Sequence, residues 1–434
     1  MAPPVPGQRR PPYLFLAGGF FSLALSESLG LIPFITETKS SFSLYLSAPL
    51  LCIGMCSLLL ATKRKIPDVR TALPTYVKII FALLIGWTLI TIFRGIRPDF
   101  KTLRDMWGIS IFAWALLVPV TALLGTDLRI WRSIFKYLFI FGSWGVLIFF
   151  ITIMQLHRPS DFELAYGCLI LVLFSPQFPF VQQFNKVIVF TGSAVTILTS
   201  VLALTRNQVF EKCLLLLFAG ILYFQQEHAA KTKRRFFVLL AACGIFSLNV
   251  YIANNDTISF IPLSVNERLS EFKEKLPKNS RVSGRYNLYQ EFFDDMGPLD
   301  LLAGRGSMGE YRGHVGSHSR KSIDRKAIEC GYLQIILNGG FIMLTLILAL
   351  SFLAIWLGVW RSRNRFTKAC AFIILTRLFA MVPFGLPEAN IAYILFWMAI
   401  GACLSHPMRM ASDAEIVAMM PLRREGSRRR FRLP

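Results

Sequence analysis

The segment GYLQIILNGGFIMLTLILALSFLAIWLG, residues 331–358, is apolar over almost its whole length and carries no charged side chain. A helix of this length rises about 40 Å, which is enough to cross a bilayer core of roughly 30 Å. Similar runs recur along the 434-residue chain, which is 54% hydrophobic. The pattern predicts an all-α polytopic membrane protein and argues against a soluble domain or a β-barrel, whose strands would alternate in short segments.

Twelve apolar runs are predicted to be transmembrane helices. The first follows Arg9 and Arg10, and it is too long for a signal-peptide core, so we expect it to be retained. The sixth is interrupted by two prolines in SPQFPF, 175–180. The predicted spans are 13–36, 41–62, 74–93, 107–126, 131–155, 163–180, 187–205, 207–224, 236–253, 331–358, 368–386 and 388–404.

The distribution of lysine and arginine predicts the orientation. The formal net charge is +22, and much of it lies in loops and in the tail. Such cations set topology and meet anionic lipid, so no nucleic-acid partner is implied. Both termini are then cytoplasmic, although the basic loop RGIRPDFKTLR, 94–104, falls outside. The predicted regions are 1–253 with about nine spans, an extracytoplasmic loop 254–330, three spans in 331–404, and a basic cytoplasmic tail 405–434.

The large loop is predicted to form a small helical cap over the membrane. Residues 264–277 begin with capping-box spacing and end at a proline. A second amphipathic pattern runs from Tyr286 to Met296 and stops at Gly297. The segment GRGSMG, 304–309, is a glycine-rich turn.

Arg377 lies well inside the apolar run AFIILTRLFAMVPF. A charge at that depth is costly unless it is paired, so it marks a candidate functional site. Two interpretations stay open. Arg377 forms a salt bridge with a buried acid such as Glu27, or it binds an anionic head group.

Three further groups in the loop could take part in chemistry. Arg281 and Arg285 share one face if the second loop helix begins early, and guanidinium groups match phosphate oxygens; alternatively they are a solvated pair. Glu329, just before the tenth span, is either a general base or an exposed interfacial acid. His314 and His318 lack a carboxylate that would complete a metal motif, so no metal site and no cofactor are predicted, and any other role for them is left open.

The order of several motifs resembles that of the O-antigen ligase and polysaccharide polymerase superfamily. These are Arg206 in LTRNQ, the SGR triplet ending at Arg285, and the segment IECGYLQIILNGG, 328–340. The glycines of GRGSMG, which are Gly304, Gly306 and Gly309, match the glycines that family members carry before the last motif. The likeness in topology extends over most of the chain.

One position departs from the ligase pattern. Ligases carry His-Asn followed by Gly-x-x-Gly, and here Glu329 and Cys330 stand at the first pair. Gly340 matches the first glycine, whereas Met343 occupies the second. Because a glutamate at this position is similar to some polymerase-type members, the resemblance favours a polymerase over a ligase.

The resemblance implies a glycosyltransferase of the bacterial inner membrane that acts at the periplasmic face without a metal. Its donor would be a polyprenyl-diphosphate-linked glycan, its acceptor another glycan, and a flippase or chain-length regulator could be its partner. The leaving diphosphate needs cations, for which Arg206, Arg285 and Arg377 are candidates, with Arg281, Arg94 and Arg97 in support, and Glu329 as base. The alternatives are an O-antigen ligase acting on lipid A core and a flippase or exporter of a lipid-linked or anionic solute. Against transport, the sequence shows no repeated halves.

Overall fold

The computed structural model of the chain describes residues 13–36, 41–64, 72–155, 166–174, 186–202, 206–224, 280–313, 323–382 and 385–419. These residues form mainly helices, as predicted. The predicted span 236–253 and loop helix 264–277 lie outside the described residues, as do His314 and His318.

The helices follow the apolar runs of the sequence in most places. In chain order they are α1 Tyr13–Thr36, α2 Ser41–Lys63, α3 Thr75–Gly95, α4 Phe100–Gly108, α5 Ala113–Leu117, a 3-10 helix Val118–Thr126, α6 Leu128–Gln155, α7 Tyr166–Phe174, α8 Lys186–Leu202, α9 Arg206–Phe224, α10 Ser280–Asp295, α11 Pro298–Ala303, α12 Gly331–Trp360, α13 Arg365–Ala380, α14 Ile391–Leu404, α15 His406–Met410 and α16 Asp413–Met419.

Within the described residues, three helical stretches are long and apolar enough to cross a membrane: Leu46–Lys63 of α2, all of α3 and all of α12. A fourth is added if α4 and the segment Ala113–Thr126, bent by 50°, form one broken span. Shorter apolar stretches lie in α1, α8 and α14. The expectation of membrane-spanning helices is therefore supported in part, while the number twelve and the sidedness stay predictions.

The predicted span 107–126 is not one continuous helix. Helix α4 ends at Gly108, and the chain turns before α5 and the 3-10 helix. The Ser110 carbonyl in the turn accepts a hydrogen bond from the Ala389 N–H at 3.0 Å. A side chain at Gly125 or Gly401 would overlap backbone carbonyls across the contact with α14. This close packing against α14 accompanies the loss of the regular α-helix.

The last predicted elements also shift. The span predicted at 368–386 is α13, which begins after Asn364, whose side chain accepts from the Thr367 N–H at 2.9 Å, and which ends at Ala380. Asn390 caps α14 in the same way through the Tyr393 N–H at 2.9 Å. The region predicted as a tail contains α15 and α16, which pack on the bundle.

The described part of the large loop forms a cap with its own apolar core. Helix α10 begins at Ser280, earlier than Tyr286, and so includes Arg281 and Arg285. Two strands that the sequence did not predict, β1 Tyr311–Gly313 and β2 Ile323–Arg325, pair antiparallel. Strands of three residues are too short to show an alternating pattern. The cap core consists of Leu288, Phe292, Met296, Tyr311, Ile328, Cys330, Leu333, Ile336 and Leu337.

Candidate functional site

Arg377 of α13 is 7% exposed and lies between two oxygen acceptors. Its Nη2 donates to the Leu386 carbonyl at 2.9 Å. Its Nη1 lies 3.7 Å from Oε1 of Glu211 on α9, and the Tyr166 hydroxyl donates to the same oxygen at 3.2 Å. Glu211 is thus an acid beside Arg377, and the side chain of Glu27, the acid suggested by the sequence, lies outside the description. The ion pair ties α9 to α13.

The start of α12 is joined to the end of α13. The Gly331 N–H donates to the Met381 carbonyl at 3.0 Å, and the Met381 N–H donates to the Arg377 carbonyl at 3.0 Å. A side chain at position 331 would come within 2.6 Å of the Gly385 carbonyl, so glycine permits the close approach. Glu329, two residues before Gly331, is exposed. Exposed Glu329 therefore lies two residues from a backbone junction whose other side, Met381, follows Arg377 by one helical turn.

A cluster of polar side chains in the cap adjoins Glu329. A Cβ built on Gly313 would lie 3.2 Å from the Tyr311 ring, 3.3 Å from Oε2 of Glu291 and 3.4 Å from Cδ of Arg325. Burial raises the pKa of the Tyr311 phenol above its ordinary value, the Arg325 guanidinium lowers it, and the carboxylates of Glu291 and Glu329 raise it. We call Glu291, Tyr311, Arg325 and Glu329 the cap cluster.

Arg325 was not a candidate in the sequence. It is half-buried, and no carboxylate of the described residues forms an ion pair with it within 4.0 Å. It lies in the basic segment RKSIDRK between histidines and the next span. Nothing in that segment separates Arg325 from its neighbours, because only the pairing of β1 with β2 sets Arg325 opposite Tyr311.

Three candidate arginines are described only by the course of their helices. Arg206 begins α9, five residues before Glu211. Arg285 lies one turn before Tyr289 on α10, and the Tyr289 hydroxyl donates to Sγ of Cys330 at 3.5 Å. Arg281 precedes Arg285 by a further turn. The side chains of these arginines lie outside the description. Helix α9 also carries Glu211, the partner of Arg377, and α10 carries Tyr289, which contacts Cys330 next to Glu329.

The glycine-rich turn supports the backbone of α12. Helix α12 breaks at Gly340, where φ is 70°. The N–H groups of Arg305 and Gly306 donate to the carbonyls of Leu337 and Asn338 at 2.7 and 3.0 Å. Gly304 and Gly306 also have positive φ, 72° and 90°, which favours glycine. Gly309 closes the turn, with its N–H donating to the Gly306 carbonyl at 3.0 Å. These donors already have partners in the chain.

The two arginines of the basic loop 94–104 have different surroundings. Arg94 donates from Nη1 to the Ala303 carbonyl at 2.8 Å and from Nη2 to the Gly304 carbonyl at 2.7 Å. It thereby caps the end of α11. Arg97 is exposed, and it is close enough to Asp99 to help lower the pKa of that carboxyl, an effect due mainly to the hydrogen bonds from Thr102.

Glu329 belongs to the cap cluster with Arg325, and the backbone of α12 two residues after Glu329 meets the end of α13, the helix that carries Arg377. Such a set can hold an anionic group and accept a proton beside it. Among the described residues, no group of three histidine, cysteine, aspartate or glutamate side chains is placed to hold a metal ion. No family model, no curated protein and no solved structure matches this chain.

Proposed function

We propose that this chain is a membrane glycosyltransferase that moves an oligosaccharide from a polyprenyl diphosphate to a hydroxyl of an acceptor glycan. The supporting observation is the junction of α12 and α13, where the Gly331 N–H meets the Met381 carbonyl at 3.0 Å. In this proposal the exposed carboxylate of Glu329, two residues before the junction, and the buried guanidinium of Arg377, one turn of α13 before Met381, act on the same substrate. The transfer needs a proton acceptor next to the sugar carbon that is attacked and a cation next to the diphosphate that leaves.

The reaction is a direct displacement. Glu329 takes the proton of the acceptor hydroxyl as its oxygen bonds to the anomeric carbon, and the bond from that carbon to the phosphate oxygen breaks. The lipid diphosphate leaves with the electron pair, and the configuration at the anomeric carbon inverts. Arg325 and Arg377, together with Arg206 and Arg285, stabilise the charge of the leaving group.

Within this class we propose polymerisation. Glu329 occupies the position at which O-antigen ligases have histidine, and a positioned carboxylate can act as a general base. A ligase acting on lipid A core is the alternative. In either case the site faces the periplasm, because the most basic connections of the sequence are then cytoplasmic.

A transporter is a second candidate because two helical segments are interrupted, one at Gly340 and one between α4 and α5. Discontinuous helices hold ions or solutes in many transporters through their free backbone groups. Here Leu337, Asn338 and Ser110 at the breaks already accept hydrogen bonds from the chain's own N–H groups. This difference favours the enzyme.

The test combines deletion and complementation with a gel of surface glycans. Loss of long chains with single units retained supports the polymerase, whereas loss of all glycan from lipid A core supports the ligase. Glu329→Gln and Arg285→Ala should each lower activity about 100-fold or more while the protein stays in the membrane. The matched control is Asp294→Asn, since Asp294 is exposed on α10. Unchanged glycans after deletion would contradict the proposal.

A second assay separates transfer from transport. Purified protein in detergent micelles has no leaflets across which a lipid could be moved. A transferase still lengthens lipid-linked oligosaccharides under these conditions, and Glu329→Gln should not. Lack of any lengthening by the wild-type protein, together with transport in vesicles, would favour the transporter.

A further inference from the structure

Arg409 of α15 is a buried cation at the end of the bundle remote from the cap cluster. Its residue is 4% exposed, and its Nε has no hydrogen-bond partner in the structure. No carboxylate of the described residues forms an ion pair with it. Burial lowers the pKa of its guanidinium, which still remains charged at neutral pH. A buried guanidinium without an anion is unfavourable, so its retention calls for a partner.

A second polar group beside Arg409 is also buried without a partner. Ser405 is fully buried, and its Oγ has no hydrogen-bond partner. Ser405 is the N-cap residue of α15 and Arg409 lies one turn further along, since the Arg409 N–H donates to the Ser405 carbonyl at 3.1 Å. A hydroxyl and a guanidinium one turn apart can both donate to one phosphate group.

The backbone around this pair is firmly held. Asn364 is fully buried, and its Nδ2 donates to the carbonyls of Met408 and Ala411 at 2.6 and 2.9 Å. The Arg363 N–H donates to the Arg409 carbonyl at 2.9 Å. Two donors in a fixed frame form a built site rather than a mobile surface.

The rim of the pair is basic, and the nearby acids have other partners. Arg361 and Arg363 are exposed, and neither forms an ion pair with a carboxylate of the described residues. Asp413 lies 3.7 Å from Arg365, and Glu415 accepts from the N–H of Ser412 at 2.7 Å. The Arg363 guanidinium helps to lower the pKa of the Glu415 carboxyl, an effect due mainly to the hydrogen bonds from Ser412.

The position of the pair along the bundle indicates the interface of a membrane. Trp356 and Trp360 at the end of α12 are 53% and 62% exposed, and their rings stack with centroids 4.9 Å apart. Arg361 follows directly. Exposed tryptophans beside arginines are typical of the level of the lipid head groups.

We propose that Arg409 and Ser405, with Arg361 and Arg363 at the rim, bind the phosphate group of an anionic phospholipid head group in the cytoplasmic leaflet. The site is separate from the cap cluster and does not depend on the glycosyl-transfer proposal. The phosphate accepts from the guanidinium and the hydroxyl, and the acyl chains lie along the apolar surface near Trp356 and Trp360.

The test measures lipid binding to the purified full-length protein in detergent, by native mass spectrometry and by the midpoint of thermal unfolding. Phosphatidylglycerol is titrated in about 0.5 M salt, at which interactions of exposed charges are largely screened. Arg409→Met should weaken binding about tenfold or more, because it removes hydrogen bonds to a charged group. Ser405→Ala should weaken lipid binding about threefold. Because this change is smaller, it still tests the site if Arg409→Met does not fold.

The matched control is Arg129→Met, which removes an exposed cation from the start of α6. It should change binding less than about twofold at this salt concentration. Phosphatidylcholine should bind weakly to every variant. Equal weakening by Arg409→Met and Arg129→Met, or equal binding of the two lipids to the wild type, overturns the proposal. Protection by inorganic phosphate alone, without a preference for the lipid, overturns the lipid as the source of the phosphate.

Discussion

The ion pair between Arg377 and Glu211 is almost completely shielded from water, since the two side chains are 9% and 12% exposed. Removing one partner leaves the other as a buried charge. Glu211→Gln should therefore lower the free energy of unfolding by about 3 kcal/mol. The double variant Glu211→Gln, Arg377→Met should lose less than the sum of the two single changes, as a double-mutant cycle of thermal or denaturant unfolding would measure.

An ion pair with one exposed partner provides the control for that cycle. Arg104 and Asp105 lie 2.7 Å apart, but the Arg104 side chain is 52% exposed. Arg104→Gln should cost less than about 1 kcal/mol. Additive losses at Arg377 and Glu211 would mean that the pair contributes no coupling to stability.

Arg94 and Arg97 differ in what they contact, and their variants should separate stability from activity. Arg94→Ala removes two hydrogen bonds to the carbonyls of Ala303 and Gly304, so we expect a loss of about 2 kcal/mol in stability. Arg97→Ala should leave the unfolding midpoint unchanged. If Arg94→Ala abolishes glycan transfer at full stability, its role is in binding the donor and not in capping α11.

At the scale of the element, the break in α12 is the feature that joins the cap to the bundle. Gly340 has φ of 70°, and a side chain there would overlap the Leu302 carbonyl. Gly340→Ala should therefore cost several kcal/mol or prevent folding, since both the conformation and the space are unsuitable. Protease resistance and the yield of folded protein in detergent measure this.

A glycine in a regular helix should behave in the opposite way. Gly86 lies within α3, and a side chain there would meet no atom within 4 Å. Gly86→Ala should stabilise the protein by up to about 1 kcal/mol, because alanine loses less conformational freedom in a helix. Equal effects of the two glycine changes would show that the break does not hold the cap in place.

The comparison of predicted with observed helices shows which elements could be predicted from sequence patterns. Continuous apolar runs predicted α2 and α3 to within a few residues, because burial and helical hydrogen bonding are satisfied within the run. The pattern failed at 107–126 and beyond Ala380, where contacts with residues distant in sequence interrupt the helix. Arg377 stood out as a charge in an apolar run, whereas Arg409 lies beyond the end of one and resembles any basic loop residue. The partner of Arg377 could not be read from the sequence, because it depends on the packing of α9 against α13.

At the scale of the whole molecule, the length of α12 predicts which residues lie on opposite sides of the membrane. After the break, 341–360 rise about 30 Å, which equals the thickness of the bilayer core, and exposed apolar side chains such as Phe352 and Trp356 lie in this part. Leu299 in the cap and Arg361 beyond α12 should then face opposite sides. Leu299, which is 80% exposed, should react as Leu299→Cys with a membrane-impermeant maleimide in intact cells, above the background of the native cysteines. Arg361→Cys should react only after permeabilisation, and labelling of both in intact cells would mean that α12 does not span the membrane.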